Sequence, residues 1–292
     1  MIKFVNAKIN IGLNIVGKRD DGYHLLETVF YPVGLFAGTP GNPESFCDIL
    51  ELTPMKEKGE GVEFIFTGNP VDCPLEKNLV YKGVEAMLRW SGGNLGRICV
   101  RLDKHLPDGA GMGGGSADAV FAMKLIAELL ARRGMPVPTS DELREMAMCL
   151  GADCPVFVDN VPAYAEGIGE KLYSIQPFLS GKWIVIVKPD MHISTKEAFA
   201  GVTPSPSEES LRELIQLPVA EWRHKIHNDF EKSLFPRYPQ LKSLKEALYY
   251  EGAEYASMTG SGAALYGIFP DRESAGKACD AIDAPYKAIL LL

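Results

Sequence analysis

Between residues 106 and 119 the chain reads LPDGAGMGGGSADA, with five glycines from 109 to 115 and then a serine. Glycine lets a backbone come close to another group, and in front of a helix the exposed N–H groups and the positive end of the helix dipole attract an anion. The stretch therefore predicts a cradle for a polyphosphate. Its neighbours exclude other uses of glycine. Gly109, Gly111 and Gly114 satisfy GxGxxG, but KHLP separates them from the preceding strand, and no second strand ending in an acid follows as a dinucleotide fold requires. A Walker A loop has Lys before its Ser, where Gly115 stands, and the HRD and DFG signatures of protein kinases are absent. The six cysteines (Cys47, Cys73, Cys99, Cys149, Cys154, Cys279) show no CxxC pair and no zinc spacing with His, so reduced, mostly buried thiols are expected.

The loop sits between a strand, RICVRLD, and a helix from Ser116 to Leu130, whose nearly unbroken apolar character predicts burial on almost all sides. Earlier, KFVNAKINIGLNIV, LLETVFYPV, CDILELT and VEFIFTG read as strands, and NLVYKGVEAMLRW has helical spacing. Thr139 and Glu142 stand in capping-box spacing before another helix. PVFVDN, AYAEG and KWIVIVKP read as short strands. Residues 202–210, VTPSPSEES, read as a loop or lid. Helical segments follow near 208–216 and 239–251, then strand EYASM, a turn TGSG, strand ALYGIF, a helix from Arg272 to Ile282 and a closing strand YKAILLL.

A 292-residue chain that is 46% apolar can bury a sizeable core, in one large or two modest domains. Its net charge of −8, with Lys and Arg scattered singly, argues against a nucleic-acid partner and for a small-molecule one. The first residues alternate polar and apolar and lack the apolar core of a signal peptide, and no 18-residue apolar run occurs, so neither a membrane partner nor export is expected and the protein reads as cytoplasmic.

The stretch LPDGAGMGGGSADA resembles the second motif of the GHMP kinases (galactokinase, homoserine kinase, mevalonate kinase and phosphomevalonate kinase), in which a glycine-rich loop binds ATP. MTGSGAALYGIF resembles their third motif and NAKINIGLNIVGKRDDGYH their first. The resemblance covers nearly the whole chain in order. It implies an α+β, two-domain fold, with an N-terminal ribosomal protein S5 domain 2-like half over residues 1–158 and a C-terminal ferredoxin-like α/β sandwich half over 159–292. RDDGYH, KNLVYK, GADCPVF and AEGIGEKL are similar to one branch of the family. In that branch the ATP γ-phosphoryl group passes to the 2-hydroxyl of the methylerythritol moiety of a CDP-linked substrate, on the non-mevalonate route to isoprenoid precursors. The alternatives are another GHMP small-molecule kinase, against which DGYH argues, or a catalytically idle nucleotide-binding relative, against which Lys8 and Asp153 argue.

Residue by residue, the resemblance implies that Asp153 accepts the proton of the attacking hydroxyl and that Lys8 pairs with it and stabilises charge on the transferring group. Positioning and charge stabilisation dominate such chemistry. Pro107, Asp108, Gly109, Ala110, Gly111, Met112, Gly113, Gly114, Gly115 and Ser116 match the ATP loop, and Asn78 and Lys104 match positions near adenine or ribose. Asn10 shares the strand face of Lys8 and fits a substrate hydroxyl. Tyr23 and His24 match a cytidine-recognising pair, Phe199 an aromatic that sandwiches cytosine, and Thr195, Thr259, Gly260, Ser261 and Gly262 the substrate side. Mg2+ is implied as a cation carried by the nucleotide. The family's GGGSSxAA appears here as GGGSADAV, with Ala117 in place of the second Ser. Asp118 then reads as a helix-capping carboxylate or as a water-mediated Mg2+ contact. Asn228 and Asp229 recur in the pattern and are explained equally well by capping.

Overall fold

The computed structural model describes residues 1–34, 46–56, 59–71, 73–93, 95–207 and 209–292. Its elements run β1 (Ile2–Val5), β2 (Ala7–Lys18), β3 (His24–Val33), β4 (Asp48–Pro54), β5 (Gly61–Gly68), α1 (Leu79–Trp90), β6 (Arg97–Lys104), α2 (Gly114–Arg132), α3 (Ser140–Leu150) and α4 (Val156–Asp159). They continue with β7 (Ala163–Glu166), β8 (Lys171–Ser174), β9 (Trp183–Lys188), α5 (Thr195–Ala200), α6 (Leu211–Leu214), α7 (Asp229–Leu234), α8 (Pro239–Tyr250), β10 (Tyr255–Met258), β11 (Leu265–Phe269), α9 (Arg272–Ala281) and β12 (Tyr286–Leu291).

Two compact units divide the described chain. The first takes residues of 1–7, 37–108 and 113–160, and the second those of 8–36, 109–112 and 161–292. In the first, the sheet order is β1-β4-β6-β5, antiparallel except for the parallel β5–β6 pair. Helix α2 covers it. Eleven of its residues are buried, among them Val120, Phe121, Leu125 and Ile126, the all-round burial that its composition requires. Thr139 and Glu142 close both bonds of the capping box at α3. The second unit holds two sheets, β2-β3-β7-β8 and β10-β11-β9-β12. Its core gathers Leu13 and Ile15 with Val185, Val187, Phe230, Leu248 and Phe269.

Several expectations are corrected. KFVNAKINIGLNIV is two strands in different sheets, broken at Asn6, whose side-chain Nδ2 donates to the Ala7 carbonyl and to Asn160 Oδ1 at the break. PVFVDN is helix α4, not a strand. Pro155 precedes its first turn, and Asn160 ends it at φ +56°, a left-handed conformation that Asn tolerates. The helix near 208–216 shrinks to α6, whose start is fixed by buried Glu27, which accepts from Leu211 N at 2.9 Å and Tyr164 OH at 2.7 Å. Glu208 lies outside the described residues, and 202–207 carry neither helix nor strand. No disulfide joins the six cysteines, as expected, but only Cys47 and Cys154 are buried, while Cys73 and Cys149 are exposed.

Candidate functional site

The glycine loop divides by function. Gly109, Gly111 and Gly113 take φ of +60°, +71° and +68°, alternating with residues of ordinary φ. A side chain at two of these would meet the protein itself. A Cβ on Gly109 would lie 2.3 Å from His192 Nδ1, and one on Gly111 would lie 2.1 Å from the Thr259 carbonyl oxygen. Gly260 reciprocates, its Cβ position falling 2.8 Å from the Gly111 carbonyl oxygen. Ala263 N donates to Gly109 O at 3.1 Å and Ala264 N to Ala110 O at 3.3 Å, so 109–111 and the TGSG turn form a backbone-to-backbone seam. Helix α2 begins at Gly114, two residues earlier than expected, with left-handed Gly113 as its N-cap. Gly114, Gly115 and Ser116 are helical. Their N–H groups lie in the first turn, where the helix offers no carbonyl. A Cβ on Gly115 would meet only Leu79 Cδ1, at 3.9 Å. Pro107 and Asp108 precede the turn, and Ala110 and Met112 bury their side chains.

In the first unit, Lys104 ends β6 with its ammonium 5% exposed and held by two carboxylates, Asp48 of β4 and Asp118 of α2, the latter at 2.8 Å. Asp48 Oδ1 also accepts from the backbone N–H groups of His105 and Leu106, both at 2.7 Å. The Asp118 carboxyl therefore neither caps the helix nor faces solvent, and its Oδ1 is buried with no partner among the described residues. Burial, with Asp48's charge in the same direction and Lys104 opposing, pushes it up to about 8. Burial would lower Lys104, but the Asp118 and Asp48 charges outweigh it and hold the ammonium above its ordinary value. Gly114 lies over this cluster, its Cβ position 3.1 Å from Lys104 Nζ. Asn78 caps α1, accepting from Val80 N at 2.8 Å. Asp153 sits half-buried in the turn between α3 and α4. Next to it, burial raises the Cys154 thiol to about 11, against a hydrogen bond with Ser116. Sequence reasoning missed Asp48. A charged residue at a buried strand position was the available signal.

In the second unit, Lys8 of β2 is 1% exposed. Its Nζ donates to Asn10 Oδ1 at 2.6 Å and to Gly111 O at 3.0 Å, and lies 5.2 Å from the centre of the Phe30 ring. Asn10 Nδ2 donates to Thr28 Oγ1 at 3.0 Å, and Thr28 in turn donates to Gly12 O at 2.5 Å. Thr259 Oγ1 accepts from Asn10 N at 3.1 Å, and its own proton is within reach of Gly111 O and Asn10 Oδ1. Asn228 caps α7 and donates to Met258 O and Gly260 O at 2.8 and 2.9 Å, bracing the TGSG turn, while Asp229 accepts from Ile15 N at 2.8 Å. Asn228 thus does more than cap, and the Asp229 carboxylate reaches outside its own helix to β2.

Farther along β3, His24 stacks on Phe199 of α5 with centroids 4.8 Å apart and planes 21° from parallel. Phe199 rests edge-on against Phe230 at 4.9 Å. Burial and then Lys18 lower the His24 imidazolium, favouring a neutral ring. Tyr23 is exposed beside it. The hydroxyls of Thr195 and Ser261 lie 3.4 Å apart, and Gly262, at φ +88°, closes the turn. Among the described residues no three His, Cys, Asp or Glu side chains gather as a metal site, and no helix is long and apolar enough to cross a membrane.

Residues 78–167 match the family described as GHMP kinases N terminal domain, and residues 209–288 match GHMP kinases C terminal. A 4-diphosphocytidyl-2-C-methyl-D-erythritol kinase of Parabacteroides distasonis is 43% identical over 269 residues, 92% of each chain. The Bacteroides thetaiotaomicron protein of the same name is 44% identical over 269 residues, again 92% of each. A crystal structure of 4-(cytidine 5'-diphospho)-2C-methyl-D-erythritol kinase superposes with a TM-score of 0.77 at 28% identity, over 96% of this chain and 94% of that one. A homoserine kinase structure from Cytophaga hutchinsonii, 19% identical with a TM-score of 0.68 over 100% of this chain and 95% of that one, shares the fold.

Proposed function

Since the chain belongs to the GHMP kinases, among the 4-diphosphocytidyl-2-C-methyl-D-erythritol kinases, we propose that it moves the γ-phosphoryl group of ATP to the 2-hydroxyl of the CDP-linked methylerythritol alcohol, on the non-mevalonate route to isoprenoid precursors. A bond forms between that hydroxyl oxygen and the γ-phosphorus, the bond from the γ-phosphorus to the β–γ bridging oxygen breaks, and ADP leaves. The hydroxyl proton passes to Asp153, and Lys8 balances charge on the group in flight. Mg2+ carried by the nucleotide would neutralise charge on its phosphates, and the Ser116 hydroxyl would be available to hold it.

The observation that carries the phosphate half is the start of α2. Three consecutive helical N–H groups open behind left-handed Gly113, and a Cβ at Gly115 would make one ordinary van der Waals contact, with Leu79 Cδ1. Such a terminus suits an anion by hydrogen bonding and by dipole. On the acceptor side, Tyr23, His24 and Phe199 read the cytidine, with the His24–Phe199 stack supporting an aromatic surface for a base. Thr195, Ser261 and the TGSG turn serve the remainder of the acceptor.

A coupled ADP-release assay tests the reading. Turnover is expected with the CDP-linked alcohol and not with mevalonate, homoserine or galactose. Preference for one of the latter three would assign another branch of the family, and no turnover with any would make the chain an idle relative.

A further inference from the structure

Beyond the residues given roles above, we infer that Thr28 is a positioning residue that fixes the orientation of the Asn10 amide and, through it, aims the Lys8 ammonium. The inference rests on the role proposed for Lys8.

The argument is one of donors and acceptors. Thr28, on β3, is fully buried, and its hydroxyl proton is committed to the Gly12 carbonyl of β2. With the proton engaged, only the lone pairs of Oγ1 face Asn10, and they can accept but not donate. The Asn10 group that meets them must be the NH2, at 3.0 Å. A planar amide with its nitrogen fixed on one side presents its oxygen on the other, where Lys8 Nζ stands at 2.6 Å. An ammonium has three donors and no acceptor, so it needs an oxygen there. Gly12 O, Thr28, Asn10 and Lys8 thus form a chain in which each polarity dictates the next. Thr259 fixes the same residue from the backbone side, accepting from Asn10 N at 3.1 Å.

Water does not substitute easily. Asn10 is 3% exposed and Lys8 1%, so an amide that loses its acceptor is left unpaired in the interior. The Asn10 side chain then rotates toward another partner, and Lys8 loses one of the oxygens that set its direction. Misaligning a group that acts in the transition state lowers turnover and leaves ground-state binding largely intact.

The test uses the full chain in the ADP-release assay, with ATP and the CDP-linked alcohol varied separately. Thr28→Val keeps the shape and removes the hydroxyl, and is expected to lower kcat about tenfold with both KM values nearly unchanged. Thr28→Ser, which restores the hydroxyl, is expected to return kcat to near the parent value. In an Asn10→Ala background, Thr28→Val is expected to add no further loss, because the path through the amide is already gone. If Thr28→Val does not fold, Thr28→Ala, which removes the hydroxyl without setting a methyl against the Gly12 carbonyl and the Asn10 amide, carries the measurement. A parent-like kcat in the folded variant overturns the inference. So do losses that multiply in the double variant, which would mean that Thr28 merely ties two strands together. Lys8→Ala is measured alongside. If it turns over normally, the role of Lys8 fails and the inference with it, whereas a crippled Lys8→Ala beside a normal Thr28→Val overturns this inference alone.

Discussion

Among the described residues two lysines are buried almost completely, and the groups that each takes from its own unit differ. Lys104 is 5% exposed and clamped by the carboxylates of Asp48 and Asp118, with one carboxylate more than its charge needs. Lys8 is 1% exposed, and from its own unit receives an amide oxygen, a backbone carbonyl and a phenyl face. Neutral dipoles orient an ammonium without cancelling its charge, whereas carboxylates cancel it at close range. The first arrangement suits a strut joining β4, β6 and α2 under the start of that helix. The second sets the direction in which the Lys8 ammonium points.

The comparison breaks most visibly at Asp48. Asp48→Ala removes a partner of buried Lys104 and the acceptor for two backbone N–H groups, and is expected to destabilise the protein by about 3–5 kcal/mol, read as a lower urea midpoint. A change below about 1 kcal/mol would mean that the strut is not needed.

The glycine loop sharpens the comparison at the next level. Gly111→Ala forces a Cβ against the Thr259 carbonyl at φ +71°, and is expected to destabilise by about 1–3 kcal/mol whether or not ATP is present. Gly115→Val, at an ordinary helical position where a Cβ makes one van der Waals contact, with Leu79 Cδ1, is expected to keep the thermal midpoint and to raise the KM for ATP by about tenfold or more. Equal behaviour of the two variants would remove the distinction between glycines shaped by the protein and glycines shaped by the ligand.

The smallest effect is a pH slope. An unfolded aspartic acid titrates near about 4, while folded Asp118 is pushed up to about 8. Between those values the folded chain binds a proton that the unfolded chain has released, so this group's contribution to stability is complete at low pH and is lost as pH rises through 8. Asp118→Asn, which imitates the protonated group, is expected to match the parent at neutral pH and to lose less stability between pH 5 and 9, measured by urea denaturation. A parallel pH dependence of the two would show that Asp118 stays ionised.

Much of this was visible in the sequence wherever local chemistry determined the outcome. The capping box at Thr139, the buried character of α2 and the position of the glycine loop all follow from neighbours within a few residues. What escaped depends on residues distant along the chain. Gly109 and Gly111 are glycine because His192 and Thr259 crowd them, so a loop that reads as a cradle for a ligand is in part a seam with the protein's own backbone. The partners of Lys104 come from 56 residues before it and 14 after. Helix α4 was misread because Val-Phe-Val favours a strand by propensity, and only the backbone conformation of Asn160 reveals the turn that closes it.

The most direct test of the account is a double-variant cycle on Lys8 and Asp153, measured as kcat for ADP release with the CDP-linked alcohol. Asp153→Asn is expected to keep ATP binding and to lose on the order of 10²- to 10⁴-fold in turnover, with a comparable loss for Lys8→Ala. If the two residues serve one chemical step, the double variant falls far short of the product of the single losses. Fully multiplicative losses, or near-parent turnover in Asp153→Asn, would contradict it.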